Sequence, residues 1–87
     1  MQSNLTEEQF LDLVWQKGNV VITHDPRHAR QDDYGRWMVR AEYGNRRSDW
    51  GWEMDHKIPA SRGGSDALGN LRPLNWRSNV ERGNGWA

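Results

Sequence analysis

A chain of 87 residues without one cysteine must hold itself together by packed side chains alone, or by an ion bound through oxygen or imidazole. A domain of this size buries only about 60% of the surface its unfolded form exposes, so the interior is thin. Apolar residues make up 34% of the chain, but six tryptophans and one phenylalanine supply bodies large enough to fill a small core. The tryptophans are therefore expected inside. The lack of cysteine leaves the redox compartment open. No apolar run approaches the ~20 residues needed to cross a bilayer, and the first residues lack the basic-then-apolar layout of a secretory leader.

The net charge is zero, which argues against coating a polyanion by bulk electrostatics. The distribution is more informative. Residues 1–17 and 48–56 are acidic, whereas 26–47 carry six Arg against three acids and 57–87 carry five Lys or Arg against two. Ten of the twelve basic residues are Arg, whose planar fork matches phosphate. An Arg-dominated pair of basic segments around an acidic centre suits a phosphate group approaching a cation. A solvated mixed-charge surface would carry the same pattern.

Thr6, followed by Gln9 at the third helical position, forms a capping box, with Leu5 placed to staple onto Phe10. A helix is expected over about 6–17, ended by Gly18. Phe10, Val14 and Lys17, flanked by Leu11 and Leu13, form its docking stripe. Val20-Val21-Ile22 reads as a short strand or extended segment, and Pro26 stops any helix through His24-Asp25-Pro26-Arg27-His28. The two histidines therefore do not share a helix face, and no third ligand sits at a suitable spacing. Asp33-Tyr34-Gly35 and Tyr43-Gly44-Asn45 read as turns, so 30–47 is a hairpin or irregular lobe.

The stretch from Trp52 to Asn79 divides into three pieces. Trp52 to His56 forms a strand, Pro59 to Gly69 a Gly/Ser-rich loop, and Asn70-Leu71-Arg72 a second strand closed by Pro73. A helix follows from about Asn75 to Arg82, stopped by Gly83. Strand alternation sends Asp55 and His56 to opposite sides. Gly63-Gly64 reads as a turn requirement rather than a phosphate cradle, because it does not lie between a strand and a helix start.

Asp55-His56, the Pro-containing loop with Gly63-Gly64, Asn70-Leu71 and a short helix bearing Asn79 together resemble the HNH endonuclease family over about residues 43–83. Asn70 follows Asp55 by fifteen residues and Asn79 by twenty-four, a spacing like that in the HNH domain of RNA-guided CRISPR nucleases. The resemblance implies that Asp55 and Asn79 are metal ligands, that His56 is the general base and that Asn70 orients it. It also implies an endonuclease cutting phosphodiesters to 5′-phosphate and 3′-hydroxyl ends, DNA ahead of RNA. One departure matters. Where the commonest family pattern has zinc-binding cysteines this chain has Asn75 and Ser78, so Trp50, Trp52 and Trp76 are expected to replace zinc by packing. An all-oxygen pair of ligands favours one Mg²⁺ or Mn²⁺ over Zn²⁺.

The residue types suit that chemistry. A cation stabilises charge developing on phosphate oxygens, and imidazole takes up protons near neutral pH. Glu53, on the face of Asp55, is a candidate for holding a metal-bound water. Arg46, Arg47, Arg72, Arg77 and Arg82 are candidates for nucleic-acid backbone contacts. The fold class expected is α+β: one small domain over 1–87, an N-terminal helix and, at about 50–83, a ββα-metal core. The rival readings are a nucleic-acid-binding module of the same fold with little or no catalysis, and a structural metal-stapled domain. Structural sites usually close around four protein ligands, which counts against the latter. The chain is expected to be soluble, either cytoplasmic or delivered as an effector. No recognition helix is evident, so weak sequence specificity is expected.

Overall fold

The computed structural model describes residues 4–83. Trp86, counted above among the core candidates, lies outside the described residues. The fold is α+β, with elements in the order α1 (Glu7–Trp15), β1 (Ala29–Gln31), β2 (Trp37–Val39), β3 (Trp52–His56), β4 (Leu71–Asn75) and α2 (Trp76–Glu81). Strands β1 and β2 form one antiparallel ribbon, and β3 and β4 form another. The N-terminal helix starts as its local chemistry dictates. The Thr6 hydroxyl accepts from the Gln9 amide while the Gln9 side chain accepts from the Thr6 amide. Its end differs from expectation, because the helix stops at Trp15, capped by Gln16. Gly18 instead lets the chain pass close to Arg30 and Met38, where an added Cβ would sit 3.2 Å from both.

The face of α1 that docks consists of Leu11, Val14 and Trp15. They pack with Met38, Trp52 and Leu71, and Phe10, Met54 and Leu68 cover the edges. Lys17 is not part of an apolar stripe. Its ammonium donates to the carbonyls of Leu68 and Leu71 and ties the end of α1 to the start of β4. The tryptophans divide rather than gather. Trp15 and Trp52 are core residues, with ring centroids 5.1 Å apart, whereas Trp37 and Trp76 are half-buried and Trp50 is 53% exposed. Each core indole still satisfies its N–H, Trp15 on the Pro26 carbonyl and Trp52 on that of Arg40.

Val20-Val21-Ile22 does not form a strand. Asn19 alone bridges to Gln31, the chain then turns with the His24 amide on the Val21 carbonyl, and Ile22 is 96% exposed. The expected hairpin within 30–47 is β1–β2, whose turn is organised by Asp32. One carboxylate oxygen accepts from the amides of Tyr34 and Arg36, and the other accepts from Asn75 on β4, so the ribbon is pinned to the second sheet by a buried carboxylate with all its charge solvated by N–H groups.

Pro73 does not close the second strand but lies inside it, opposite Met54. In a ribbon of two strands every strand is an edge, and a proline whose missing N–H faces outward breaks no ladder bond. β3 spans Trp52–His56 as expected. Its alternation places Trp52 and Met54 on the side of α1, and Glu53 and Asp55 on the side of α2. The β3–β4 sheet is thus covered by one helix on each face.

Candidate active site

Helix α2 follows β4 without a loop because Asn75 serves both elements. As N-cap its side-chain oxygen accepts from the Arg77 amide, and its side-chain nitrogen donates to the carbonyls of Trp37 and Asp49, each at 2.8 Å. Ser78 accepts from Arg36. Asn75 and Ser78, the positions expected from the resemblance to stand in place of zinc-binding cysteines, are therefore hydrogen-bonding staples. Tryptophan packing contributes less than expected, since Trp50 is exposed, although Trp76 donates its indole N–H to the Ser48 carbonyl. Helix α2 ends at Glu81 with Arg82 as its C-cap, and Gly83 follows with a left-handed φ of 66°.

On the α2 side of the sheet, Asn79 sits over Glu53 and Arg82 over Asp55. The Asn79 amide nitrogen donates to Glu53 at 2.7 Å, and the Arg82 guanidinium donates to both Asp55 oxygens at 3.1 and 3.2 Å. Residue numbers rise together in the two pairs, Asn79 with Glu53 and Arg82 with Asp55, so helix and strand run in the same sense. Asp55 is 1% exposed and Asn79 3% exposed. The Asn79 side-chain oxygen is buried and has no hydrogen-bond partner among the described residues. A carboxylate and an unsatisfied amide oxygen on facing elements are the kind of donor set that a hard divalent cation takes. Among the described residues no three His, Cys, Asp or Glu side chains gather closely enough to hold an ion by themselves.

The surroundings of Asp55 are strongly cationic. Arg72, directly opposite on β4, donates to Asp55 at 3.0 Å, to Asp33 at 3.0 Å and to the Tyr34 phenol oxygen at 3.3 Å. Burial alone would lower the affinity of Arg72 for its proton, but the bonds to Asp55, Tyr34 and Asp33 outweigh it and raise its pKa. Hydrogen bonding from Arg72, then from Arg82, pulls the Tyr34 phenol below its ordinary value against the opposing effect of burial. Glu53 is held below the usual glutamate range, first by its bond from Arg46 and also by that from Asn79, with burial opposing.

His56 lies on the other side of β3, adjacent to Asp55 in sequence, and its Nε2 is 2.7 Å from Asp66. Asn70 makes no hydrogen bond to the imidazole. Its side chain accepts from the Ile58 amide and donates to the carbonyls of Ile58 and Ser65, and its backbone carbonyl accepts from Lys57. It closes the neck of the 57–70 loop, and that loop carries Asp66. Gly63 and Gly64 shape the same loop. Gly63 has φ 84°, and a Cβ on Gly64 would lie 1.7 Å from the Ile58 carbonyl oxygen.

Of the five arginines expected to meet a nucleic-acid backbone, Arg46 is paired with Glu53, Arg72 and Arg82 with Asp55, and Arg77 with Asp49. Arg47 alone is exposed with no ion pair among the described residues. Sequence reasoning missed Asp66, Tyr34, Lys57 and Arg62. Lys57 and Arg62 were legible as cations flanking the motif, but nothing local marked Asp66 or Tyr34. His24 and His28 are exposed and lie in the 24–28 turn, with His24 stacked on Trp37.

Two antiparallel strands and a helix, with an Asp-His pair on the first strand and an Asn on the helix, define a ββα unit of the nuclease type. Residues 44–85 match the family model described as HNH endonuclease, and over those residues the chain is similar to an HNH endonuclease domain. No curated protein and no solved structure matches the chain. The family points to a nuclease or nucleic-acid-related function. No helix among the described residues is long and apolar enough to cross a membrane.

Proposed function

We propose that the chain is a metal-dependent endonuclease that hydrolyses phosphodiester bonds in DNA with low sequence specificity, using Asp55 and Asn79 to hold one Mg²⁺ or Mn²⁺ and His56 as general base. The observation that carries this is the buried, unpartnered side-chain oxygen of Asn79, on the helix face opposite the strand face that bears the buried Asp55. A buried polar atom left unbonded costs on the order of 1–3 kcal/mol, a cost that a ligand oxygen recovers when its ion binds. A cation held there would stabilise charge developing on the phosphate and leaving-group oxygens. Glu53 accepts from the Asn79 amide nitrogen and so fixes which end of that amide is left as the free oxygen.

His56 takes the proton of the attacking water. Asp66 accepts from Nε2–H, which leaves Nδ1 bare as the accepting nitrogen. Asn70 acts one step removed, fixing through Ser65 the loop on which Asp66 stands. Arg47, Lys57 and Arg62, exposed and without ion pairs among the described residues, contact phosphates outside the reacting centre.

The reading is tested by incubating purified protein with supercoiled plasmid and, separately, with RNA, in Mg²⁺, Mn²⁺ or EDTA, alongside Asp55→Asn, Asn79→Ala and His56→Ala. Cleavage of plasmid that EDTA abolishes and each substitution depresses is expected. Equal cleavage by wild type and His56→Ala overturns the assignment of the base. The alternative, a nucleic-acid-binding module with little catalysis, is favoured by one observation: two arginines already occupy the Asp55 carboxylate. Binding of plasmid with no cleavage in either metal would select it.

A further inference from the structure

Those two arginines do not hold Asp55 in the same way. Arg72 projects from within β4, is 16% exposed, and is fixed by Asp33 and Tyr34 as well as by Asp55. Arg82 is the residue that caps α2, is 26% exposed, and is followed by Gly83. Apart from Asp55 its guanidinium has one anchor among the described residues, the Tyr34 phenol oxygen, at 3.2 Å from its Nε. Tyr34 and Arg82 together form the rim of an open depression lined also by Arg36, Ser78 and Glu81. Of the two, Arg82 is the one free to leave.

The local charges make its departure necessary for a cation to enter. Asp55 and Asp33 balance Arg72 and Arg82, two against two. A divalent ion on the buried carboxylate would add two positive charges beside a guanidinium that already uses both carboxylate oxygens. We infer that Arg82 is a shared ligand: it neutralises Asp55 in the free protein and swings about Tyr34 onto a phosphodiester oxygen when a divalent cation takes Asp55, so that cation and phosphate bind cooperatively. The phosphate supplies the negative charge that the displaced guanidinium requires, and charge-assisted hydrogen bonding to phosphate replaces the contact of the single Nη1 with both carboxylate oxygens. This rests on the assignment of Asp55 as a cation ligand. It gives the double occupation of Asp55 a role in that activity instead of setting the two in opposition.

The experiment measures Mn²⁺ binding by electron paramagnetic resonance on the full chain, with and without a phosphorothioate duplex that resists cleavage. Wild type is expected to bind Mn²⁺ weakly alone and at least about tenfold more tightly with duplex, since a like charge a few ångströms from an ion is worth an order of magnitude or more in affinity near a protein surface. Arg82→Gln is expected to bind Mn²⁺ alone about tenfold more tightly than wild type, with little further gain from duplex. Its metal-free melting temperature should fall and be restored by Mn²⁺ more than that of wild type. Tyr34→Phe, at an exposed position, gives a smaller tightening in the same direction and carries the test if Arg82→Gln does not fold. Unchanged or weaker Mn²⁺ binding by both variants, with Asp55→Asn abolishing it, overturns the shared-ligand role and leaves the nuclease reading standing. If Asp55→Asn binds Mn²⁺ as wild type does, the cation does not sit at Asp55 and both fall.

Discussion

Replacing Asn75 by Ala should remove a large share of the protein's stability, because one amide bonds to three segments, the start of α2, β2 and the 49–51 stretch. Three hydrogen bonds are lost: the cap on the Arg77 amide and the donations to the Trp37 and Asp49 carbonyls. Loss of a helix N-cap costs about 1 kcal/mol. Each carbonyl left without its donor in a part-buried setting costs about 1 kcal/mol, at the low end of the penalty for an unsatisfied polar group. The sum is about 3 kcal/mol. At about 0.05–0.15 kcal/mol per residue a domain of this size is stable by only about 4–13 kcal/mol, and a loss of about 3 kcal/mol lowers the melting temperature of so small a domain by about 12–24 °C. Thermal and urea unfolding followed by circular dichroism measures this directly. Asn75→Asp separates the contributions, since it retains the cap yet turns a carboxylate oxygen toward both carbonyls, and it should be no more stable than Asn75→Ala. A loss below about 1 kcal/mol for both variants would refute the claim that this amide staples β2 and the 49–51 stretch to the start of α2.

His56→Ala should reduce cleavage by about 10²–10⁴ while Mn²⁺ affinity holds, and Asp66→Asn should lower kcat with KM nearly unchanged if Asp66 orients the imidazole; a change confined to KM would count against that role. Arg47→Ala should reduce the slope of log affinity against log salt by about one unit for a cleavage-resistant duplex, as one lost phosphate contact does, whereas Arg46→Ala should change it less because Glu53 already neutralises that guanidinium; equal slopes for wild type and Arg47→Ala would remove Arg47 from the interface. Asp25 is held at about 2, first by hydrogen bonds from the Arg27 side chain and then from its backbone. Its folded value lies below the ordinary aspartate range, so the stabilisation is present above that range and lost as pH falls through about 2; carboxyl NMR of Arg27→Ala should show the midpoint moving upward, and an unmoved midpoint would contradict the assignment.

What could be read from the chain beforehand followed from how local each signal was. The α1 capping box needs only Thr6 and Gln9, and β3, α2 and the Gly83 stop were visible because alternation, a capping Asn and a glycine act within a few residues. Val20-Val21-Ile22 misled because an apolar β-branched triplet forms a strand only where a partner edge is waiting. Here Gln31 pairs with Asn19 and the chain turns immediately afterwards. Pro73 misled for the opposite reason, since whether a proline ends a strand depends on how many neighbours the strand has. In the site, the spacing of Asp55, His56 and Asn79 was legible, but the partners of those residues were not. Asp55 meets Arg82 across 27 residues and Arg72 across 17, contacts set by the docking of α2 and by strand register. Asp66 reaches His56 only because Asn70 closes the intervening loop.

A chain with no net charge can still take a polyanion if its cations are unequally committed. Arg27, Arg36, Arg40, Arg46, Arg72, Arg77 and Arg82 each face a carboxylate, and Arg30 and Lys17 are spent on backbone carbonyls. That leaves Arg47, Lys57 and Arg62 without partners among the described residues, enough for about three phosphate contacts and a shallow salt dependence. Two of the three flank the site in sequence: Lys57 follows His56, and Arg62 stands in the loop that Asn70 closes. The paired arginines become available where a carboxylate is given up to something else, and the α2 face over Glu53 and Asp55 carries the Asn79 side-chain oxygen, without a partner among the described residues. Affinity for nucleic acid should therefore rise with added Mn²⁺ in wild type and fail to rise in Asn79→Ala. A metal-independent affinity in both proteins would mean that the arginines around Asp55 never leave it.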